Sequence, residues 1–144
     1  MSVIEIGPER RRRRSSNTYE AIRLQLDYIA KTQNLRNFTL GDNRGLTLAH
    51  SGEGFEAEIL AAYAPLLAKC LDRQKRAQIF ERLQHFVPTA SEQSLQIRTF
   101  AVDGEVLHLA VLAENTVKHT DLYRAATGVR RILDQGTSQA RAAS

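Results

Sequence analysis

The apolar positions of this chain change period several times, and each change marks an element. From Asn17 onward, Tyr19, Ile22, Leu26 and Ile29 recur at spacings of three and four, which is one face of a helix. A second set, Ala21, Leu24 and Tyr28, lies roughly opposite, so this helix is expected to be covered on two sides. Asn17 with Glu20 three residues on has the pattern of a capping box. Phe38–Gly52 then reads as two short strands around Gly41-Asp42-Asn43-Arg44-Gly45, where Asn and Gly supply the left-handed conformations of a tight hairpin. A second helix starts near Phe55. It places Phe55, Ile59, Ala62, Leu66 and Cys70 on one face, which Leu60, Leu67 and Leu71 widen. Pro65 lies inside this pattern and predicts a kink, and the polar cluster Asp72–Arg76 closes the helix.

Residues 78–87 fit two periods. Ile79, Leu83 and Phe86 have helical spacing, which propensity favours, whereas the β-branched and aromatic residues before Pro88 suit a strand. Beyond the polar stretch 88–93, Leu95, Ile97, Thr99 and Ala101 alternate with Gln96, Arg98 and Phe100, and Asp103-Gly104 predicts a turn. Val106–Ala113 is apolar almost throughout except for His108, the pattern of a central strand buried on both faces. The final helix is expected from Thr120 or Asp121 to Leu133, with Leu122, Ala125, Ala126, Val129, Ile132 and Leu133 on its apolar side and Arg130 and Arg131 favourable to its dipole.

Composition refines this outline. A length of 144 residues with 42% hydrophobic and 25% charged residues suits one domain with a real core. Residues 1–16 read as a basic, disordered tail, 17–135 as the domain and 136–144 as a flexible C-terminal tail. The net charge of +4 becomes −1 once the five consecutive arginines Arg10, Arg11, Arg12, Arg13 and Arg14 are set aside, so basicity belongs to the tail. That run could contact nucleic acid, anionic lipid or an acidic protein in a salt-sensitive way, although no aromatic residue stands among the arginines to stack on bases, and a solvated tail is the simpler reading. No apolar run approaches the roughly 20 residues that span a bilayer, no apolar core of a signal peptide follows the basic cluster, and Cys70 alone cannot form an internal disulfide. Cytoplasmic residence is the expectation.

The chemistry-bearing residues do not assemble into an active-site pattern. His50, His85, His108 and His119 are scattered without carboxylates or cysteines at ligand spacing. Ser51 and Ser94 lack a nucleophile-elbow context, and Gly41, Gly45, Gly52 and Gly54 lack the spacing of a phosphate loop. Cys70 falls on an apolar stripe, and Glu53, Glu56 and Glu58 suit a helix N-terminus. The expectation is a protein that is not an enzyme and holds no cofactor or metal.

With residues 78–87 taken as a strand, the order becomes helix, two strands, helix, three strands, helix. That order resembles the roadblock/dynein-light-chain family. Leu40-Gly41-Asp42-Asn43-Arg44-Gly45-Leu46 looks like the family's hairpin, Val106–Asn115 is similar to its last strand and loop, and Leu122, Arg124, Arg130 and Arg131 are similar to its final helix. The resemblance covers about Asn17 to Gln135. Among bacterial relatives it is to the mutual-gliding-motility GTPase-activating proteins. His119-Thr120 departs from the small residue or glycine of many relatives, and Arg10–Arg14 lies outside the family core.

The resemblance implies an α/β (α+β) fold of profilin-like type, a five-stranded antiparallel sheet between helices, with the second helix on one face and the first and last on the other. It also implies a homodimer that pairs the third strand edge to edge, packs the second helices together and binds a Ras-like small GTPase by contact alone. Phe55, Tyr63, Leu67 and Leu71 exceed one narrow stripe, and with Ile79 and Leu83 on the third strand they are the expected dimer interface; burial of the whole broad face on its own sheet is the competing reading. A scaffold subunit of a motor or signalling complex is the alternative function, and a nucleic-acid-associated module led by the arginine tail is a third.

Overall fold

A computed structural model describes residues 16–114 and 119–143. The first helix, α1, spans Ser16–Thr32, and Asn34 at φ 56° turns the chain out of it into β1, Leu35–Asp42. Asp42 shapes the following turn: its Oδ1 accepts from the Arg44 and Leu46 backbone N–H groups at 2.9 and 3.0 Å. The chain returns as β2, Thr47–Ser51. Helix α2 covers Gly54–Lys69 and α3 covers Arg73–Gln84. Strands β3, Leu95–Val102, and β4, Glu105–Ala113, meet at Asp103 and Gly104, whose φ values of 54° and 80° are those of a two-residue hairpin turn. Helix α4 runs His119–Ala143.

The sheet has the order β2-β1-β4-β3 with every neighbouring pair antiparallel. Alternate strand residues feed two cores. Phe38, Leu40, Leu107, Leu109 and Val111 pack with Ile22, Leu26, Ile29, Ala125, Val129 and Leu133 of α1 and α4. Leu95, Ala110 and Leu112 pack on the other side with Leu60, Ala64, Leu67, Phe80 and Leu83 of α2 and α3. Helices therefore lie on both faces, as the central position and near-continuous burial of β4 require.

Two expectations are corrected. The sheet has four strands among the described residues, not five, because residues 73–84 are helix. Asp72 caps that helix by accepting from the Lys75 N–H at 2.9 Å, and the buried residues Phe80, Leu83 and Val87 fall at spacings of three and four, so no alternation is left to build a strand. Pro65 lies inside α2, whose span continues on both sides of it. The Ala61 carbonyl that a proline leaves without its N–H partner lies where the β1–β2 turn presses on the helix, so closely that a Cβ on Gly45 (φ +88°) would sit 3.2 Å from Ala62 Cα. Helix α4 continues past the expected end at Leu133, and residues 136–143 extend it, since a single Gly136 is tolerated among Gln139, Ala140, Arg141, Ala142 and Ala143.

Candidate protein-binding surfaces

Helix α2 is held at both ends. At its start, Glu53 accepts from the Phe55 and Glu56 N–H groups at 2.9 and 2.8 Å, and the bond from Glu56 followed by that from Phe55 holds its carboxyl below the usual carboxylate range. Arg36 of β1 donates to Glu56 at 2.9 Å and to Thr89 at 3.1 Å, while Asn37 Nδ2 reaches the Glu53 carbonyl at 3.4 Å. At its end, Arg76 donates to the Leu67 carbonyl at 2.6 Å, pairs with Glu92 at 3.1 Å and stacks over Phe80 at 5.6 Å from the ring centre.

Between these anchors α2 has two apolar sides. Ala57, Leu60, Ala61, Ala64 and Leu67 are buried on the sheet, where small residues allow the close approach of Gly41, whose added Cβ would meet Ala61 Cβ at 3.2 Å. Phe55, Ile59, Ala62 and Leu66 point the other way at spacings of four, three and four. Phe55 is 56% and Leu66 54% exposed, Ala62 is exposed and Ile59 is half-buried.

The six expected interface residues do not share one surface. Phe55 stands on the outward stripe of α2 and Leu71 at the α2–α3 link, where it is 95% exposed. Leu67 and Leu83 are buried in the protomer's own core, and Tyr63 and Ile79 pack partly against the same cluster. Ile59, Ala62 and Leu66 are the members of the exposed stripe missing from the expected set. The pattern signal for them was the run of alanines on the opposite side, because a sheet approached this closely takes the small residues and leaves the large ones outside.

The second apolar set of α1 is likewise uncovered. Leu24 and Tyr28 are 55% and 66% exposed, so no described helix of the same protomer supplies the second cover expected from a neighbouring helix or subunit. Glu20 does not cap α1 with its side chain; Arg23 bridges it to Asp27, the latter at 2.8 Å.

Buried polarity gathers on the α2 side of the sheet. His108 meets Thr99 at 2.8 Å through Nδ1 and Asn43 at 2.9 Å through Nε2. Asn43 offers only Oδ1 there, so Nε2 carries the hydrogen and Nδ1 accepts from the Thr99 hydroxyl. Burial, reinforced by the charge of Lys69, pushes the His108 pKa down and keeps the ring neutral. The network ties the β1–β2 turn to the central strand β4 and the edge strand β3. His50 is half-buried and His85 exposed, and no group of three metal-ligating side chains exists among the described residues. Cys70 is half-buried, its thiol 3.6 Å from the Asp72 carbonyl. Arg10–Arg14 lie outside the described residues. No helix among the described residues is long and apolar enough to cross a membrane.

This arrangement matches solved structures. The gliding protein MglB of Thermus thermophilus superposes with a TM-score of 0.52 at 18% identity, over 84% of this chain and 94% of that one. The chain has the roadblock-like fold of MglB. An MglB structure with a tetrameric arrangement matches at a TM-score of 0.51 and 17% identity, over 85% of this chain and 94% of the other. MglB of Myxococcus xanthus matches at 0.47 and 14% identity, covering 82% and 91%. No family model matches the sequence, and no curated protein matches it.

Proposed function

We propose that this chain is a non-enzymatic, homodimeric binding protein that engages a Ras-like small GTPase and regulates its nucleotide cycle or location. The observation that carries this reading is the outward stripe of α2, where Phe55, Ala62 and Leu66 are exposed and Ile59, between them, packs only partly against the protomer's own core, in a chain with the MglB fold. Its spacing is that of a helix–helix seam, and a two-fold axis would pack the stripe on its own copy. The eight-residue strand β3, at the edge of the sheet among the described residues, offers a backbone ladder for the same association. The tetrameric arrangement of one MglB structure supports self-association, and the GTPase partner follows from the resemblance to GTPase-activating relatives. Such a protein acts by contact, arranging its partner's groups, and supplies no catalytic residue.

Two measurements test the reading separately. Leu66→Glu, at an exposed position, converts the dimer mass to a monomer mass by light scattering with the circular dichroism spectrum unchanged; a constant mass, or a monomer before substitution, removes the seam. Leu83→Glu is unsuited to this purpose because Leu83 is fully buried. Capture on the immobilised full chain with GDP and with a non-hydrolysable GTP analogue addresses the partner. A Ras-like GTPase retained only with the analogue, its single-turnover hydrolysis changed by the chain, is the expected result. A nucleotide-independent set of structural proteins without a GTPase would replace this reading with the scaffold alternative.

A further inference from the structure

Helix α2 carries its charge unevenly. Glu56, Glu58 and Lys69 are its only charged residues, and Glu56 is buried and accepts from Arg36 at 2.9 Å. That leaves two exposed charges of opposite sign, Glu58 near the start of the helix and Lys69 at its end. Both lie on one flank of the outward stripe. Glu58, Ala62, Pro65 and Lys69 recur at spacings of four, three and four, a row that runs beside Phe55, Ile59, Ala62 and Leu66. Tyr63 and Cys70 fall on the opposite flank. Ala62 belongs to both rows and is the smallest residue of the stripe, with Ile59 and Leu66 one turn to either side.

We infer that α2 crosses α2 of a second copy antiparallel at Ala62, with Glu58 paired across the seam to Lys69 of the partner subunit. This rests on the homodimer proposed above and adds the residues that set its orientation. Helices approach most closely where the facing side chains are small, which puts the two-fold axis beside Ala62 and seats Ile59 against Leu66 of the partner subunit. Such an axis reverses the helix direction but keeps each flank on its own side. The acidic half of one helix therefore meets the basic end of the other. At a rise of about 1.5 Å per residue, Glu58 and the partner subunit's Lys69 stand within about 5 Å of each other along the seam, a gap their side chains span. The two-fold axis repeats the contact, and the antiparallel macrodipoles attract. A parallel pair would set the Glu58–Lys69 flank of each helix against the Tyr63 flank of the other, so that neither charge would face its opposite.

The test is the dimer dissociation constant of the full chain, measured by sedimentation equilibrium at low ionic strength. Glu58→Lys and Lys69→Glu, both at exposed positions, are each expected to weaken the dimer about tenfold or more, because each reversal sets like charges together twice. The double variant Glu58→Lys/Lys69→Glu restores the pair with its signs exchanged and is expected to return to within about threefold of the parent. Lys75→Glu, an equal change of net charge at an exposed position of α3, is expected to leave the constant unchanged. Single reversals without effect, a double variant no tighter than the singles, or an equal loss in Lys75→Glu would overturn the inference. Leu66→Glu separates that failure from failure of the underlying reading. A parent dimer that Leu66→Glu dissociates and the reversals leave intact removes only the pairing of Glu58 with Lys69. A monomeric parent, or a Leu66→Glu chain that stays dimeric, removes the seam and the pairing together.

Discussion

The two faces of the sheet are built from alternate residues of the same strands, yet they solve different problems. On the α1/α4 face, Phe38, Leu40, Leu107, Leu109 and Val111 meet Ile22, Leu26, Val129 and Leu133 in a layer whose buried strand residues are apolar apart from Asp42 and Ser51 at the ends of β1 and β2. On the α2/α3 face, Asn37, Thr39 and His108 are as fully buried as their apolar neighbours, and Glu56 joins them from α2. The first layer needs only volume and dryness. The second needs partners at set distances, and those partners come from far along the chain: Asn43 is 65 residues from His108. Burial alone tolerates small slips of packing, whereas directional bonds fix which turn and which edge strand sit together.

The sharpest way to probe this contrast is to damage each layer in turn. Phe38→Ala in the dry layer should cost about 3–5 kcal/mol by urea denaturation, since transfer and cavity terms add. A cost below about 1 kcal/mol would mean the layer collapses around the hole and is not close-packed. His108→Ala on the other face should cost about 1–3 kcal/mol, mainly because a fully buried ring is replaced by a cavity and its bonds to Asn43 and Thr99 are lost. The same residue makes the contribution of its own face, and not of the dry one, depend on pH. The native pKa of His108 lies below its unfolded value of 6.5, so the unfolded chain binds more protons and stability falls as pH drops through that value, levelling only beneath the lowered native pKa. The slope between pH 7 and 5 should shrink in His108→Gln and stay unchanged in Phe38→Ala; a slope retained in His108→Gln would assign it to another group. Gly45→Ala, forced to φ +88° against Ala62, should cost roughly 1–2 kcal/mol, a backbone effect separate from either layer. Leu24→Ser, on the exposed side of α1, should change stability by less than about 0.5 kcal/mol. A larger loss there would show that this residue serves the core after all.

How much of this was readable from residues alone depended on how local the cause was. Both hairpin turns were legible, because Asp42–Gly45 and Asp103–Gly104 carry their geometry in their own side chains. The central burial of β4 was legible as an unbroken apolar run. Residues 78–87 stood open between helix and strand, and the strand count implied by the resemblance weighed against the helical spacing that the cap at Asp72, Phe80 and Leu83 bear out. The direction of α2 was hidden because both of its sides are apolar, and only the three-dimensional approach of Gly41 decides which side is small enough to meet the sheet. The exposed stripe was therefore legible as a set without a direction, and Leu67, grouped with the expected interface, is buried in the protomer's own core. The His108 network joins residues from distant elements, and no local period announces such a meeting.

Arg76 has a consequence of another kind. Its one side chain grips the Leu67 carbonyl near the end of α2, the ring of Phe80 in α3 and the carboxylate of Glu92 just ahead of β3, where Ser91 and Ser94 also exchange hydrogen bonds. Residues 85–94 between α3 and β3 hold only turns, and on their own would fluctuate independently of the helices. Fastened in this way, the end of α2 and the approach to β3 share one opening event, so their amide hydrogens should exchange at a common rate rather than as separate frayed ends. The corner then behaves as a single latch between a helix and a sheet edge: loosening either side releases both.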